Sequence, residues 1–186
     1  MKHLLLITLS LFCSIFTSEA QESSNARPKF GAEFNLVWPF VPGVEIYTGK
    51  LSTEILHHSS FSGELLTGFL LRPGTKNDPN ADIFREYGIG IGYRQYLAKG
   101  FHLELMLFPS YATEIKNKKD GKDYRGFAMT TEFYAGYRFD LIKWQQKAIY
   151  LLPQAGIGYT VISNLGPASE ADAPFPALNL QIGVRF

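Results

Sequence analysis

Cysteine is almost missing from this sequence of 186 residues: Cys13 is the only one. It lies in a segment expected to be removed, so the mature chain has no disulfide and no cysteine-based metal site. Long apolar runs are also missing. No stretch of about 18 apolar residues occurs, which excludes a bundle of membrane-spanning helices. Neither sign of charge dominates, since 18 basic and 17 acidic groups leave a formal net charge of +1. That balance gives no electrostatic reason to expect nucleic acid as a partner. Histidine is scarce, with four in the chain. What is plentiful is apolar and aromatic surface, 46% and 15% of residues, together with 17 glycines. This is enough apolar area to offset chain entropy and exclude disorder. The length suits one domain.

The N-terminus reads as an address. Lys2 and His3 form a short basic region, and Leu4 to Phe16 is apolar but too short to anchor. Ser18-Glu19-Ala20 offers small residues to a signal peptidase, so residues 1–20 are expected to be a signal peptide cleaved after Ala20. Acylation at Cys13 is disfavoured by the bulky Phe12 before it. Residues 21–29 form a polar lead-in, and residues 30–186 form the folded unit.

The dominant signal after that is alternation with a period of two, which marks β-strands with two unlike faces. In the first strand Phe30, Ala32, Phe34, Leu36 and Trp38 oppose Gly31, Glu33, Asn35 and Val37. From 86 to 97, Tyr87, Ile89, Ile91, Tyr93 and Leu97 oppose Glu86, Gly88, Gly90, Gly92, Arg94 and Tyr96. From 101 to 115, Phe101, Leu103, Leu105, Leu107, Tyr111 and Ile115 oppose His102, Glu104, Met106, Ser110, Ala112 and Glu114. From 127 to 141, Phe127, Met129, Phe133, Ala135, Tyr137, Phe139 and Leu141 oppose Thr130, Glu132, Tyr134, Gly136, Arg138 and Asp140. A strand over 149–161 and another over 61–71 fit the same template. The last is cleanest, with Leu178, Leu180, Ile182, Val184 and Phe186 against Ala177, Asn179, Gln181, Gly183 and Arg185. The stretch from Val44 to His58 holds one more strand in either of two registers. One runs across Val44 to Ile55 with a turn at His57 to Ser60, and the other turns near Lys50 to Ser52. Either gives eight strands. Leu141 to Lys147 has room for one short helical turn.

These strands are longer than the five or six residues usual in a soluble sandwich. Their apolar faces carry almost no charge at the centre, while the polar faces mix Glu33, Glu45, Glu64, Glu86, Glu104, Glu132 and Asp140 with Arg94, Arg138, Arg185 and His102. Mixed charges on one face fit a closed, ion-paired lumen, and an apolar outer face fits lipid. The expected fold is therefore all-β: an eight-stranded antiparallel up-and-down transmembrane β-barrel with a packed polar lumen. The expected lumen network comprises Glu33, Glu86, Arg94, Glu104, Glu132, Arg138, Asp140 and Arg185. The turns agree. Long polar connections at Arg72 to Asp82, Lys116 to Lys122 and Ser163 to Ala173 alternate with tight ones such as Ala98-Lys99-Gly100. Aromatic residues divide into two bands, Phe30, Tyr96, Phe101, Phe139, Trp144 and Phe186 near one end, and Tyr87, Tyr111, Phe127, Tyr159 and Phe175 near the other.

Gly90-Ile-Gly-Tyr-Arg-Gln-Tyr-Leu-Ala-Lys-Gly-Phe-His-Leu-Glu104 resembles the central hairpin of small outer-membrane β-barrel proteins of the Bacteroidota type, similar to the OmpA barrel. Glu132-Phe-Tyr-Ala-Gly-Tyr-Arg-Phe139 and Pro153-Gln-Ala-Gly-Ile-Gly-Tyr159 resemble later strands of that group. The ending with Leu178, Leu180, Ile182, Val184 and Phe186 resembles the signal that hands barrels to the outer-membrane assembly machinery. The resemblance implies a bacterial outer-membrane location, contact with lipid and lipopolysaccharide, and no particular task, because the fold hosts many.

Candidate chemistry is sparse. His57-His58-Ser59-Ser60 offers a His-x-Ser pair twice, a spacing similar to that of outer-membrane lipid A deacylases. An activated serine needs a base in reach and a third group to orient it. The pair lies early in this chain, no Asn follows the serine, and a polar turn is the plainer reading. His57 and His58 as metal ligands would point to opposite faces of a strand, so no metal is expected. Gly88-x-Gly90-x-Gly92 has the wrong spacing for a dinucleotide loop, and no helix follows. It reads as a stripe that makes room for large neighbours such as Tyr134. Lys116, Lys118, Lys119 and Lys122 make a basic loop, which reads as solvated or as a phosphate contact. The expectation is a monomeric, non-enzymatic barrel without cofactors, with a structural or surface-interaction role through its outer loops. A lipid-A-modifying hydrolase and a small passive channel are the rival readings.

Overall fold

The computed structural model describes residues 29–41, 45–57, 62–76, 78, 81–98, 100–145, 147–165 and 174–186. The expected signal peptide, most of the lead-in and residues 58–60 lie outside the described residues. The chain is all-β. The strands are β1 (Phe30–Asn35), β2 (Tyr47–His57), β3 (Ser62–Lys76), β4 (Ala81–Ala98), β5 (Phe101–Asn117), β6 (Tyr124–Tyr137), β7 (Phe139–Trp144), β8 (Lys147–Ser163) and β9 (Phe175–Arg185). All neighbours are antiparallel, in one sheet ordered β6-β5-β4-β3-β2-β1-β9-β8-β7. Pairing of β6 with β8 closes that sheet into a barrel-like ring. Closure leaves no long unpaired edge, the usual hazard of an isolated sheet.

Nine strands stand where the alternation predicts eight, and the extra one comes from a single residue. β6 and β7 together cover the expected strand from Phe127 to Leu141. They are separated only at Arg138, whose backbone N–H donates to the Gly100 carbonyl at 2.9 Å. The register on β8 is unchanged across the gap: Gly136 faces Gln154, and three residues further along each strand Phe139 faces Leu151.

Other boundaries also differ from the sequence reading. β1 stops at Asn35, short of Leu36 and Trp38. The Asn35 side-chain oxygen accepts from the backbone N–H groups of Val37 at 2.7 Å and Trp38 at 3.0 Å. That local turn competes with the ladder, and Pro39 offers no N–H to resume it. A three-residue 3₁₀ turn, Trp38–Phe40, follows. β2 takes the first of the two registers foreseen for its segment, with Lys50 in mid-strand and His57 opposite Ser62. The expected loop from Arg72 to Asp82 is largely ladder. β3 runs on to Lys76, with an irregularity between Arg72 and Thr75 where Pro73 cannot donate. β5 likewise continues to Asn117. Among the described residues from Leu141 to Lys147 there is no helical turn, since β7 runs to Trp144 and β8 begins at Lys147. Trp144 pairs with Lys147 in a tight hairpin, with Gln145 at a positive φ of 54°.

Burial alternates as the periodicity demands. Along β5, every second residue from His102 to Glu114 is buried. Many outward residues are apolar and exposed, among them Ile89 at 69% and Leu51 at 62%. Tyr96 and Phe175 depart from the expected aromatic bands. Tyr96 is buried in the interior, and the Phe175 ring lies over Gly158, a buried position on β8. The glycine stripe on β4 makes room, but not for Tyr134. A Cβ at Gly90 would stand 2.5 Å from the Phe108 ring, and one at Gly92 would stand 2.3 Å from Met106 Sδ. Met106 and Phe108 pack with Leu66 and Leu70 into a small apolar layer inside the ring.

Candidate functional site

The interior holds charge where a soluble protein would hold hydrocarbon. Its centre is Arg94, contributed by β4 and fully buried. Its inward direction follows from the strand period, and Glu64 on β3 and Glu104 on β5 stand beside it in register. Nη1 and Nη2 of Arg94 donate to the two oxygens of Glu33 at 2.5 and 2.7 Å. Nε donates to Glu104 Oε2 at 2.8 Å, and Nη1 also reaches Glu64 Oε2 at 3.1 Å. Lys50 donates to the other Glu104 oxygen. Arg185 donates to Glu54 at 2.8 Å and lies 3.7 Å from Glu64, while Lys29 lies 3.8 Å from Glu54. Four cations (Lys29, Lys50, Arg94, Arg185) thus face four carboxylates (Glu33, Glu54, Glu64, Glu104).

Neutral donors complete the plug. The Tyr150 hydroxyl donates to Glu33 at 2.8 Å, and the Gln154 amide donates to Glu104 at 2.9 Å. Gln181 serves both sides when its nitrogen faces Glu33 Oε2 at 2.5 Å and its oxygen faces Lys50 Nζ at 2.9 Å. Asn179 hydrogen-bonds with Asn35 and donates to Gln154 Oε1 at 3.2 Å. Buried ions persist only when paired and hydrogen-bonded in this manner.

Of the residues expected in the lumen network, Glu33, Arg94 and Glu104 meet at the centre, and Arg185 joins them through Glu54 and Glu64. Arg138 and Asp140 stand apart. They lie 3.0 Å from each other without hydrogen-bond alignment, and Lys143 reaches Asp140 at 2.8 Å. The Arg138 guanidinium sits against the rings of Tyr96 and Tyr150, with centroids 4.9 and 5.5 Å away. Glu86 and Glu132 have no ion pair among the described residues. Each accepts from a hydroxyl, Ser110 Oγ at 2.7 Å and Tyr134 OH at 3.0 Å respectively. Sequence reasoning missed Lys50 and Glu54, because the register of their segment was open. Had β2 been read as one strand, both would have fallen on the polar face.

Beyond the plug, toward the end of the ring opposite Phe30 and Phe186, lies a cavity of about 230 Å³. Lys50, Glu132 and Tyr134 belong to its wall, and Trp38, Phe108 and Phe175 supply aromatic surface. The Trp38 indole N–H donates to the Leu178 carbonyl at 2.7 Å, which fixes the ring between β1 and β9.

Among the other candidates, His57 is the last residue of β2, and His58, Ser59 and Ser60 lie outside the described residues. No group of three or more metal-ligating side chains occurs among the described residues. Lys118 donates to the Asp78 carbonyl at 2.5 Å, and Lys122 lies 4.0 Å from Asp120, so these loop cations have local partners. In the same turn, Tyr124 donates to Asp120 at 2.5 Å and the Lys122 N–H donates at 3.0 Å. Those bonds, the phenol first, hold the Asp120 carboxyl below its ordinary value. The chain matches no protein-family model and no curated protein by sequence. No helix among the described residues is long and apolar enough to cross a membrane, which leaves strands as a means of crossing untouched.

Proposed function

We propose that this chain is an up-and-down β-barrel of the bacterial outer membrane, monomeric and non-enzymatic. Residues 1–20 direct its export, and its role is structural or one of surface interaction through the loops opposite its termini. One observation carries the reading: polarity is inverted. Arg94 and His102 have no exposed surface, while Ile91, Ile157 and Leu178 stand open on the outside. Apolar surface on this scale, running round the ring, calls for an apolar solvent or a partner. Lipid supplies that solvent and explains why charge is gathered at the centre.

The outward-facing aromatic residues fit the same surroundings. Phe30, Phe101, Phe139 and Trp144 are exposed toward one end, and Tyr87, Tyr111 and Phe127 toward the other. Rings favour the level of lipid headgroups. Lipid and lipopolysaccharide are the implied surroundings. The alternating Leu178, Leu180, Ile182, Val184 and Phe186 are the segment offered to the assembly machinery. In a barrel of eight strands, side chains roughly fill the interior, and the plug around Arg94 supports a packed lumen over a conducting one.

The test is expression with the N-terminal segment intact, followed by fractionation and gel mobility with and without boiling. Recovery in the outer membrane, with a heat-modifiable band, is the expected result. A folded protein recovered from the periplasm without detergent would overturn the reading. Mass spectrometry of lipid A from the same cells addresses the hydrolase. Acyl loss abolished by Ser59→Ala and Ser60→Ala would replace a structural role with a catalytic one.

A further inference from the structure

The charges inside the ring are not evenly settled, and the imbalance faces the cavity. Three ionisable side chains belong to the cavity wall: Lys50, Arg72 and Glu132. Lys50 is committed to Glu104 and to the Gln181 oxygen. Arg72 lies 3.6 Å from Asp78 and stacks over the Phe84 ring at 4.8 Å. Glu132 is different. Among the described residues it accepts one hydroxyl hydrogen bond and has no cation within ion-pair distance. A largely enclosed carboxylate without a counter-ion is costly. The same wall carries four aromatic rings, those of Trp38, Phe108, Tyr134 and Phe175, among aliphatic and polar residues such as Leu70 and Thr48. Ring faces carry negative electrostatic potential and attract cations, most strongly where water is thinned out.

We propose that this cavity binds a small organic cation, an amine or quaternary ammonium carrying an apolar group, with Glu132 as its counter-ion and the aromatic wall as its cage. The volume of about 230 Å³ suits such a molecule. It lies below the roughly 300–1,000 Å³ of larger ligand sites. An anion would meet Glu132 with no help from Lys50, which is held by Glu104 and Gln181, and with only the buried Nε of Arg72 free to donate. A purely apolar ligand would leave the carboxylate with the Tyr134 hydroxyl as its one hydrogen-bond donor among the described residues. Recognition of an amine goes beyond a structural role, and the cavity exists whatever surrounds the outer face. Loss of cation binding and failure of membrane insertion are therefore separate results.

The experiment uses full-length mature chain refolded in a zwitterionic detergent. Trp38 and Trp144 are its tryptophans, so Trp144→Phe leaves Trp38 as reporter at the rim. The probe is benzyltrimethylammonium, with phenylacetate and benzyl alcohol as anionic and neutral counterparts of similar shape. A saturable change in Trp38 emission is expected with the ammonium probe, and at least about tenfold weaker binding of the other two. Glu132→Gln, which keeps the shape and removes the charge, weakens ammonium binding by about tenfold or more while the heat-modifiable band is retained. Should that variant fail to fold, Phe175→Ala at the rim takes its place, with the same direction of loss expected. No saturable response to the ammonium probe overturns the proposal. So does phenylacetate binding as tightly, or affinity unchanged in the folded Glu132→Gln protein or its Phe175→Ala substitute.

Discussion

Arg94 on β4 grips Glu33 on β1 across the ring, two parallel bonds of 2.5 and 2.7 Å joining a guanidinium and a carboxylate that are 61 residues apart. The pair spans the interior, since β2 and β3 stand between these strands in the sheet. Bidentate arginine–carboxylate pairs combine strength with a fixed geometry.

Removing the guanidinium takes from buried Glu33 its ion pair and leaves Glu64 and Glu104 only their second cations, Arg185 at 3.7 Å and Lys50. Arg94→Met is expected to destabilise the folded state by about 3–5 kcal/mol, the usual cost of breaking a buried ion pair from one side. The measurement is denaturant unfolding in detergent micelles, followed by the heat-modifiable band. A midpoint equal to that of the parent would show that the plug contributes little to stability. Arg94→Lys is expected to recover only part of the loss, because an ammonium cannot reach Glu33 through two parallel bonds.

Gly90 tests how tightly the apolar layer is packed. A methyl group there meets the Phe108 ring at 2.5 Å. Gly90→Ala should cost about 1–3 kcal/mol through overpacking. Phe108→Leu in the same chain should return part of that cost, because the obstructing atoms belong to a side chain. A double-mutant cycle reads the coupling directly, and strictly additive effects would contradict the packing described above.

Conductance tests the plug. Arg94, Glu33, Glu104, Gln154 and Gln181 are buried and joined by hydrogen bonds across the interior, so planar-bilayer recordings of the folded chain should show no steady openings. Steady single-channel steps in the unmodified protein would mean that the plug yields to water and ions.

The turn between β5 and β6 has its own pH dependence. Asp120 is held below its ordinary value of 3.8 chiefly by the Tyr124 hydroxyl, and then by the Lys122 amide. A depressed carboxyl stabilises the turn at pH values above its unfolded pKa. That contribution fades as pH falls through the lower, folded pKa. A carboxyl-carbon NMR titration should place the Asp120 midpoint below 3.8, and Tyr124→Phe should move it upward. A midpoint unmoved by that substitution would remove the phenol as the cause.

Much of the architecture could be read along the chain, because a strand with unlike faces advertises its period. His102, Glu104, Met106 and Glu114 face inward on β5 as the alternation requires, and Leu103, Leu105 and Leu107 lie on the opposite face. Parity alone also assigned the right side to Glu33, Arg94 and Arg185. It failed where a local bond interrupts the ladder, as Asn35 does at the end of β1 and Arg138 does between β6 and β7. Lys50 escaped notice for a related reason, since two registers of its segment had equal claim until β2 was seen against β1 and β3. The glycine stripe was legible as space. Its occupants, Met106 and Phe108, were not, because they come from the neighbouring strand in a register that the sequence does not spell out.

What the sequence determined by itself is the two-sidedness of each strand: side chains alternate in direction, so spacing along the chain decides which residues share a face. Only the tertiary structure decided who meets whom inside. Partners across a ring depend on the stagger with which β1 joins β9 and β6 joins β8. That stagger sets Arg94 against Glu33, while the register of β3, β4 and β5 places Glu64 and Glu104 beside it; among the described residues it leaves Glu132 on the cavity wall without an ion pair, because hydrogen-bond register and closure are properties of the whole sheet.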